Sequence, residues 1–284
     1  MEDTVGTAVG AEHRDSDPCS APIGVGPGQS NLLAELETAP KQTAIFETAT
    51  LLTLVAAFLS LCLFVWIAET FSNPRTQAFD LSIRISIHQH ASHVMTQAMV
   101  AFSRLGEPGV AIGATLTIGV FLWLRRYRAA LWMVISLVGA ALLNVSLKLA
   151  FHRLRPLAFF GPQPGDFSFP SGHALVSACF YGTLAGLIAD RIRPVYGRAL
   201  IWALSLFVIA GVGLSRIYLG VHYPSDVIAG YLVAAGWVSI LIALDRYGLE
   251  DGTRTKLQLL PENKAIRLPQ PRLDFRLGFC GIRD

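Results

Sequence analysis

Six long apolar runs leave this chain few ways to fold. They fall at about 49–69, 108–124, 130–151, 173–189, 198–215 and 226–244, each long enough or nearly long enough to cross a bilayer; a helical span needs roughly 17–25 mainly apolar residues. Hydrocarbon offers no partner to backbone N–H and C=O groups, so runs of this length must be helices, which satisfy their own backbones. The remaining composition agrees, with 52% of the 284 residues hydrophobic and 15% charged, where soluble domains carry about a quarter charged. The expected fold class is therefore all-α, a polytopic membrane helix bundle with six transmembrane helices. The membrane domain is expected over 46–247. A flexible N-terminal tail at 1–45, rich in Gly, Pro, Ser and Ala, precedes it, and a polar C-terminal tail at 248–284, interrupted by Pro261, Pro269 and Pro271, follows. The first tail lacks the basic start and apolar core of a secretory signal.

Charge and cysteine content narrow the function. A net charge of +3, with no basic stripe interleaved with aromatics, gives no basis for nucleic-acid binding. Cys19, Cys62, Cys179 and Cys280 lie far apart with no C-x-x-C spacing, which points to neither a zinc site nor a disulfide framework. Lys and Arg in the short loops set the expected orientation. Arg125, Arg126 and Arg128, then Arg191, Arg193 and Arg198, then Arg246, Arg254 and Lys256 all fall on one side of a six-span chain. That side should be the cytoplasm, with both termini on it. Lys148, Arg153, Arg155 and Arg216 fall on the opposite side, against the charge rule, as cations kept to bind something would.

Between the first two spans Phe79, Ile83 and Ile87 recur every four residues, opposite Asp80, Arg84 and His88. This periodicity predicts an amphipathic helix lying along the outer interface. Its histidines, His88, His90 and His93, are not spaced to share one helix face and read as incidental.

Three polar segments interrupt the apolar chain, all on the expected outer side. In the first, Lys148 and Arg155 stand seven residues apart, about two helical turns, so a continued helix puts both on one face; Pro156 should end it near Arg155. The second, Phe169-Pro170-Ser171-Gly172-His173, precedes the fourth span. Ser171 can cap that helix, whose free N–H groups then suit a phosphate. Gly172 lets a ligand approach the backbone, and His173 stands in the first turn. The third runs from Ser215-Arg216 to His222-Tyr223-Pro224-Ser225-Asp226. Asp226 can accept from one nitrogen of His222 and leave the other free for attack, or serve as a favourable charge at a helix start; Ser225 reads as a helix cap. Three cations, a helix N-terminus and two histidines make a full inventory for phosphoryl transfer without a metal ion.

Lys148 to Arg155-Pro156, then Pro170-Ser171-Gly172-His173, then Ser215-Arg216 to His222 and Asp226 resemble the three-part signature of the type-2 phosphatidic acid phosphatase superfamily. Residue type, spacing and order agree at every motif position, and the region from the first to the sixth span resembles the six-helix membrane branch. The resemblance implies that His222 attacks phosphorus, that Asp226 orients it, and that His173 protonates the leaving oxygen and later activates water. Lys148, Arg155, Ser171, Gly172 and Arg216 would bind the phosphate, Arg153 and His152 would support them, and no cofactor is implied. The expected partner is a lipid phosphate drawn from the bilayer: a polyprenyl diphosphate, phosphatidic acid, phosphatidylglycerol phosphate or a lipid A phosphate. The expected location is the outer face of the cytoplasmic membrane. Phosphotransfer to a lipid or sugar acceptor would use the same site. A transporter is the rival from another class, but its polar groups would lie near mid-span, usually with internal repeats. Nothing in the motifs bears on oligomeric state.

Overall fold

The computed structural model of the chain describes the backbone of residues 27–258 and the side chains of 48–246. The chain divides into Met1–Phe46, helical in backbone from Pro27, and Glu47–Asp284, which holds everything that follows. Residues 1–26 and 259–284 lie outside the description, and with them most of the two expected tails, Cys19 and Cys280. Within the described residues, helical backbone reaches into both tail segments, beginning at Pro27 and ending at Gln258.

The described residues form eight helices: α1 (Pro27–Thr70), α2 (Pro74–Gln89), α3 (His93–Gly106), α4 (Pro108–Trp123), α5 (Tyr127–Phe151), α6 (Gly172–Ala189), α7 (Val195–Tyr218) and α8 (Pro224–Gln258). Five stretches are long and apolar enough to span by themselves: Thr48–Thr70, Tyr127–Phe151, Gly172–Ala189, Val195–Tyr218 and Pro224–Arg246. The sixth is a bent pair, α3 with α4, turning by 42°. Glu107 sits at the bend, ahead of Pro108, whose ring cannot continue an i to i−4 ladder. The chain is thus an all-α integral membrane protein, and its second span is longer and more broken than its apolar run predicts. Leu52, Phe58, Leu116, Leu142 and Phe207 are exposed around the bundle, as side chains facing hydrocarbon are.

α6 is the central helix, with ten of its residues buried, packed between α5, α7 and α8. Met133, Phe180, Leu187 and Ile242 form one core cluster around it. At the end of the bundle where the polar segments gather, Phe169 is fully buried. It stacks on Phe64 and Phe71 at 5.8 and 5.2 Å and meets Phe151 edge-on at 5.1 Å. Those rings come from α1, the residue just after it and α5, and they pin the loop that leads into α6.

The helix between the first two spans corrects the sequence reading. α2 forms where the periodicity places it, capped by Asn73, whose side chain accepts from the Arg75 N–H at 3.0 Å. Its polar face, however, is the buried one. Asp80 is completely inaccessible and Arg84 nearly so, whereas Phe79, Leu81 and Ile85 are exposed. An interfacial helix resting on lipid headgroups would leave its charges in water. This one turns Asp80 and Arg84 into the protein because fixed partners wait there. Of the expected apolar face it leaves Phe79 outward, while Ile83 and Ile87 are half-buried, Ile87 against Met99, Tyr218 and Leu219. The three histidines part company: His88, in α2, stacks on Phe159 at 4.1 Å; His90, which caps its end, has Nδ1 2.8 Å from the Ser86 carbonyl; and His93 begins α3, with Nε2 3.5 Å from Gln97.

Candidate active site

The α5 helix ends earlier than Pro156 alone suggests. His152 takes a left-handed conformation, φ 48°, and its N–H closes the last turn on the Lys148 carbonyl at 3.1 Å. Arg155 therefore lies beyond the helix and does not share a helical face with Lys148. Both still reach one point, because the chain turns back and Asp166, on the α5–α6 loop, bonds them together. Its carboxylate accepts from Lys148 Nζ and from Arg155 Nε and Nη2, the latter two at 3.0 and 2.7 Å. Against a desolvation that would raise it, the hydrogen bonds and charges of Lys148 and Arg155 hold the Asp166 carboxyl below its ordinary range.

Ser171 occupies the N-cap position of α6 in extended backbone, but its side chain makes no capping hydrogen bond. Its hydroxyl is buried without a partner, while its N–H donates to the Asp226 carbonyl at 3.0 Å. The place where Gly172 would carry a side chain is taken: a Cβ there would lie 2.9 Å from Asn144 Oδ1. Glycine here admits a polar side chain of α5 against the first turn of α6, one turn below Lys148. His173 follows, with Nε2 3.2 Å from Glu107 Oε2 at the α3–α4 bend.

The third segment folds back on itself. After α7, Gly220 turns the chain at φ 81°, where a Cβ would also strike the Phe159 N at 2.6 Å. That turn lets the N–H groups of Val221 and His222 both reach the Arg216 carbonyl, at 3.2 and 3.3 Å, so His222 is tied to the residue that carries a cation. Arg216 itself is steadied by Ser103 of α3, Nη1 to Oγ at 2.6 Å.

His222 is almost inaccessible. Nδ1 lies 3.3 Å from Asp226 Oδ2, and Nε2 is 2.8 Å from Arg155 Nη1. An arginine can only donate, so Nε2 carries the lone pair and Nδ1 the proton. Burial, opposed in part by Asp226, pushes the imidazole down to about 4, which leaves it neutral at pH 7. Asp226, itself fully buried, accepts also from the Tyr223 N–H at 2.9 Å, from Arg153 Nη1 at 2.6 Å and from the Ser168 hydroxyl.

Lys148, Arg155, Gly172, His173, Arg216 and His222 all line one cavity of about 630 Å³. Ser171 lies just behind its wall and Asp226 behind His222. Glu107, Asn144 and Asp166 also line the cavity, and the motifs named none of them as site residues. Glu107 was legible as an acidic residue beside a helix-breaking proline at the mouth of an apolar run. Asn144, four residues before Lys148, was legible as a polar residue inside a span. One flank is apolar, with Val110, Ala111, Ala114, Leu137 and Val176. Among the described residues no three His, Cys, Asp or Glu side chains gather as a metal site requires.

Behind the cavity stands a buried network that joins α2 to the third polar segment. Asp80 of α2 accepts from Arg153 Nη2 at 2.9 Å, from the Ser225 N–H at 3.0 Å and from the Ser225 hydroxyl at 2.6 Å. Ser225 is thus no cap for α8: the helix starts at Pro224, and an N–H of its first turn is taken by Asp80. Arg153 lies between two carboxylates, with the Tyr223 ring 4.2 Å away. Arg84, one turn along α2, donates to the carbonyls of Leu157 and Gly220 at 2.9 and 3.0 Å.

Fold and site together define an integral membrane protein with a cation-walled cavity, a carboxylate-supported neutral histidine inside it and a second histidine at a helix start. Residues 129–248 match the PAP2 superfamily. The undecaprenyl-diphosphatase of Sulfolobus acidocaldarius is 30% identical over 194 residues, covering 66% of this chain and 87% of that protein. Phosphatidylglycerophosphatase B of Bacillus subtilis is 30% identical over 142 residues, 48% of this chain and 68% of that one. The crystal structure of a transmembrane PAP2-type phosphatidylglycerolphosphate phosphatase from Bacillus subtilis superposes with TM-score 0.58 at 24% identity, over 72% of this chain and 99% of that chain. The chain belongs to the PAP2 superfamily.

Proposed function

We propose that this protein is a membrane lipid phosphatase acting through a phosphohistidine on His222. The observation that carries the reading is the setting of His222 Nε2: an unprotonated nitrogen held 2.8 Å from Arg155, in a cavity walled by two further cations and His173. A phosphate entering there takes over Lys148 and Arg155 from Asp166 and reaches Arg216 and the Gly172 N–H; the unpartnered Ser171 hydroxyl, buried behind the wall, joins them only by turning outward. Once Arg155 turns to the phosphate, the Nε2 lone pair is free to form the N–P bond. The bond from phosphorus to the leaving oxygen breaks as His173 supplies its proton. Asp226, accepting from Nδ1–H, stabilises the positive charge that develops on the ring. His173 then takes a proton from water, which attacks phosphorus and releases inorganic phosphate and neutral His222. The cations offset charge on the equatorial oxygens, the main electrostatic demand of phosphoryl transfer, so the reaction needs no metal ion.

The apolar flank supports a lipid substrate over a soluble one. Its residues come from α4, α5 and α6 below the polar groups, where a chain still embedded in the bilayer would lie. The two relatives compared in sequence act, by their names, on a polyprenyl diphosphate and a phosphatidylglycerol phosphate; either headgroup suits the cations here, as do phosphatidic acid and a lipid A phosphate. The loop arginines favour a site on the outer face of the cytoplasmic membrane with both termini inside.

The test is phosphate release by detergent-purified protein across a panel of these lipids, with EDTA present and the His222→Ala variant alongside. Release that vanishes in the variant supports the reading. A requirement for added Mg²⁺, or activity surviving in His222→Ala, overturns the mechanism.

A further inference from the structure

Asp80 lies outside the three motif segments, yet no water reaches it and its carboxylate is fully engaged. Helix docking alone does not call for this. Arg84 on the same face already ties α2 to the Leu157 and Gly220 carbonyls, and an apolar residue would pack a helix with no charge to bury. Buried ionic clusters are weak contributors to stability compared with apolar packing, so the identity of the Asp80 partners matters more than their number. Those partners are Arg153 and Ser225, and both lead to Asp226. Arg153 places one guanidinium nitrogen on each carboxylate, at 2.9 Å from Asp80 and 2.6 Å from Asp226. Ser225 is the residue next to Asp226 in the first turn of α8.

We propose that Asp80 is a positioning residue for the reaction, one that holds Arg153 between two carboxylates so that Asp226 keeps its negative charge for His222. This rests on the phosphohistidine reading above. Arg153, and Arg84 one turn along α2 and close enough to interact with both carboxylates, together balance Asp80 and Asp226. Remove the charge of Asp80 and two guanidiniums stand against Asp226 alone, weakening its support for the imidazolium that forms as Nε2 attacks. The phosphate ligands Lys148, Arg155 and Arg216 make no contact with Asp80, so binding of the ground state is spared.

The experiment compares Asp80→Asn, which is nearly isosteric and less disruptive than alanine, with wild type and with Phe79→Ala, a change on the exposed face of the same helix. Each is purified in detergent and assayed on the best lipid phosphate of the panel. Outer partners of metal-binding residues contribute about 10–100-fold, and a carboxylate acting on His222 through Asp226 is expected on a similar scale. The expected result is kcat lower by about that factor in Asp80→Asn, KM within about threefold, and Phe79→Ala like wild type. The double variant Asp80→Asn/Arg153→Gln restores the charge count and should recover part of the lost kcat. Unchanged kcat, or a loss of kcat that the double variant deepens, overturns the proposal. The His222 Nδ1 proton, identified by its absence from the NMR spectrum of His222→Ala, gives a second readout that needs no turnover. It should move upfield in Asp80→Asn, and an unmoved resonance counts against Asp80 even if wild type hydrolyses none of the lipids, an outcome that would refute the phosphatase reading by itself.

Discussion

Asp166 occupies two of the cations that the proposed reaction assigns to the phosphate, and it is half exposed, with 53% of its side chain accessible. Substrate and Asp166 therefore compete, and Asp166→Asn measures by how much. Exposed ion pairs are worth about 0.2–1 kcal/mol each. Asp166 makes two, and asparagine keeps an oxygen that can still accept, so about 1 kcal/mol of the total should be lost. At about 1.4 kcal/mol per tenfold, the Ki for inorganic phosphate as a competitive inhibitor should fall by roughly three- to tenfold. The backbone carbonyl of Asp166, which accepts from Arg155 Nε at 3.0 Å, remains in the variant, so Arg155 keeps its place and kcat should stay within about threefold of wild type. Because one partner of each pair faces water, raising the ionic strength should shrink the difference between variant and wild type. The assay is inhibition of phosphate release from a lipid substrate, read by release of a labelled lipid product, at several salt concentrations. A Ki that is unchanged or higher in the variant would refute competition and make Asp166 a device that preorganises Lys148 and Arg155.

His173→Ala should lose about 100-fold or more in kcat with lipid alkoxide leaving groups, the usual scale of general acid–base catalysis, and far less with an aryl phosphate whose leaving oxygen needs no proton; equal losses on both would remove His173 from that role. The folded-state pKa of His222 is about 4 against an ordinary 6.5, so below pH 6.5 the unfolded chain takes a proton that the folded protein refuses. The His222 contribution to stability is thus intact above about pH 6.5 and is lost progressively as pH falls toward 4. The acid-side fall in melting temperature over that range should be smaller in His222→Phe, and identical profiles would contradict a neutral buried imidazole.

Most of the proposed catalytic set was legible in the chain because it is carried by local spacing. Lys148 with Arg155, Ser171 through His173, and His222 with Asp226 each lie within a short segment where polar residues meet an apolar run, and each converges on the cavity. The helix ends near them were less so. Lys148 and Arg155 meet through Asp166 and a left-handed turn at His152, not along one helical face. Ser171 holds a cap position without capping, and Ser225 donates to Asp80 instead of capping α8.

What the sequence determined by itself was a set of membrane-crossing helices with polar groups at their ends, because a bilayer admits little else for runs so apolar and period and spacing are local quantities. Tertiary structure decided which face of α2 is buried. Periodicity shows that Asp80 and Arg84 share a side, but the side that turns inward depends on partners 73 and 136 residues away, and no local pattern records those.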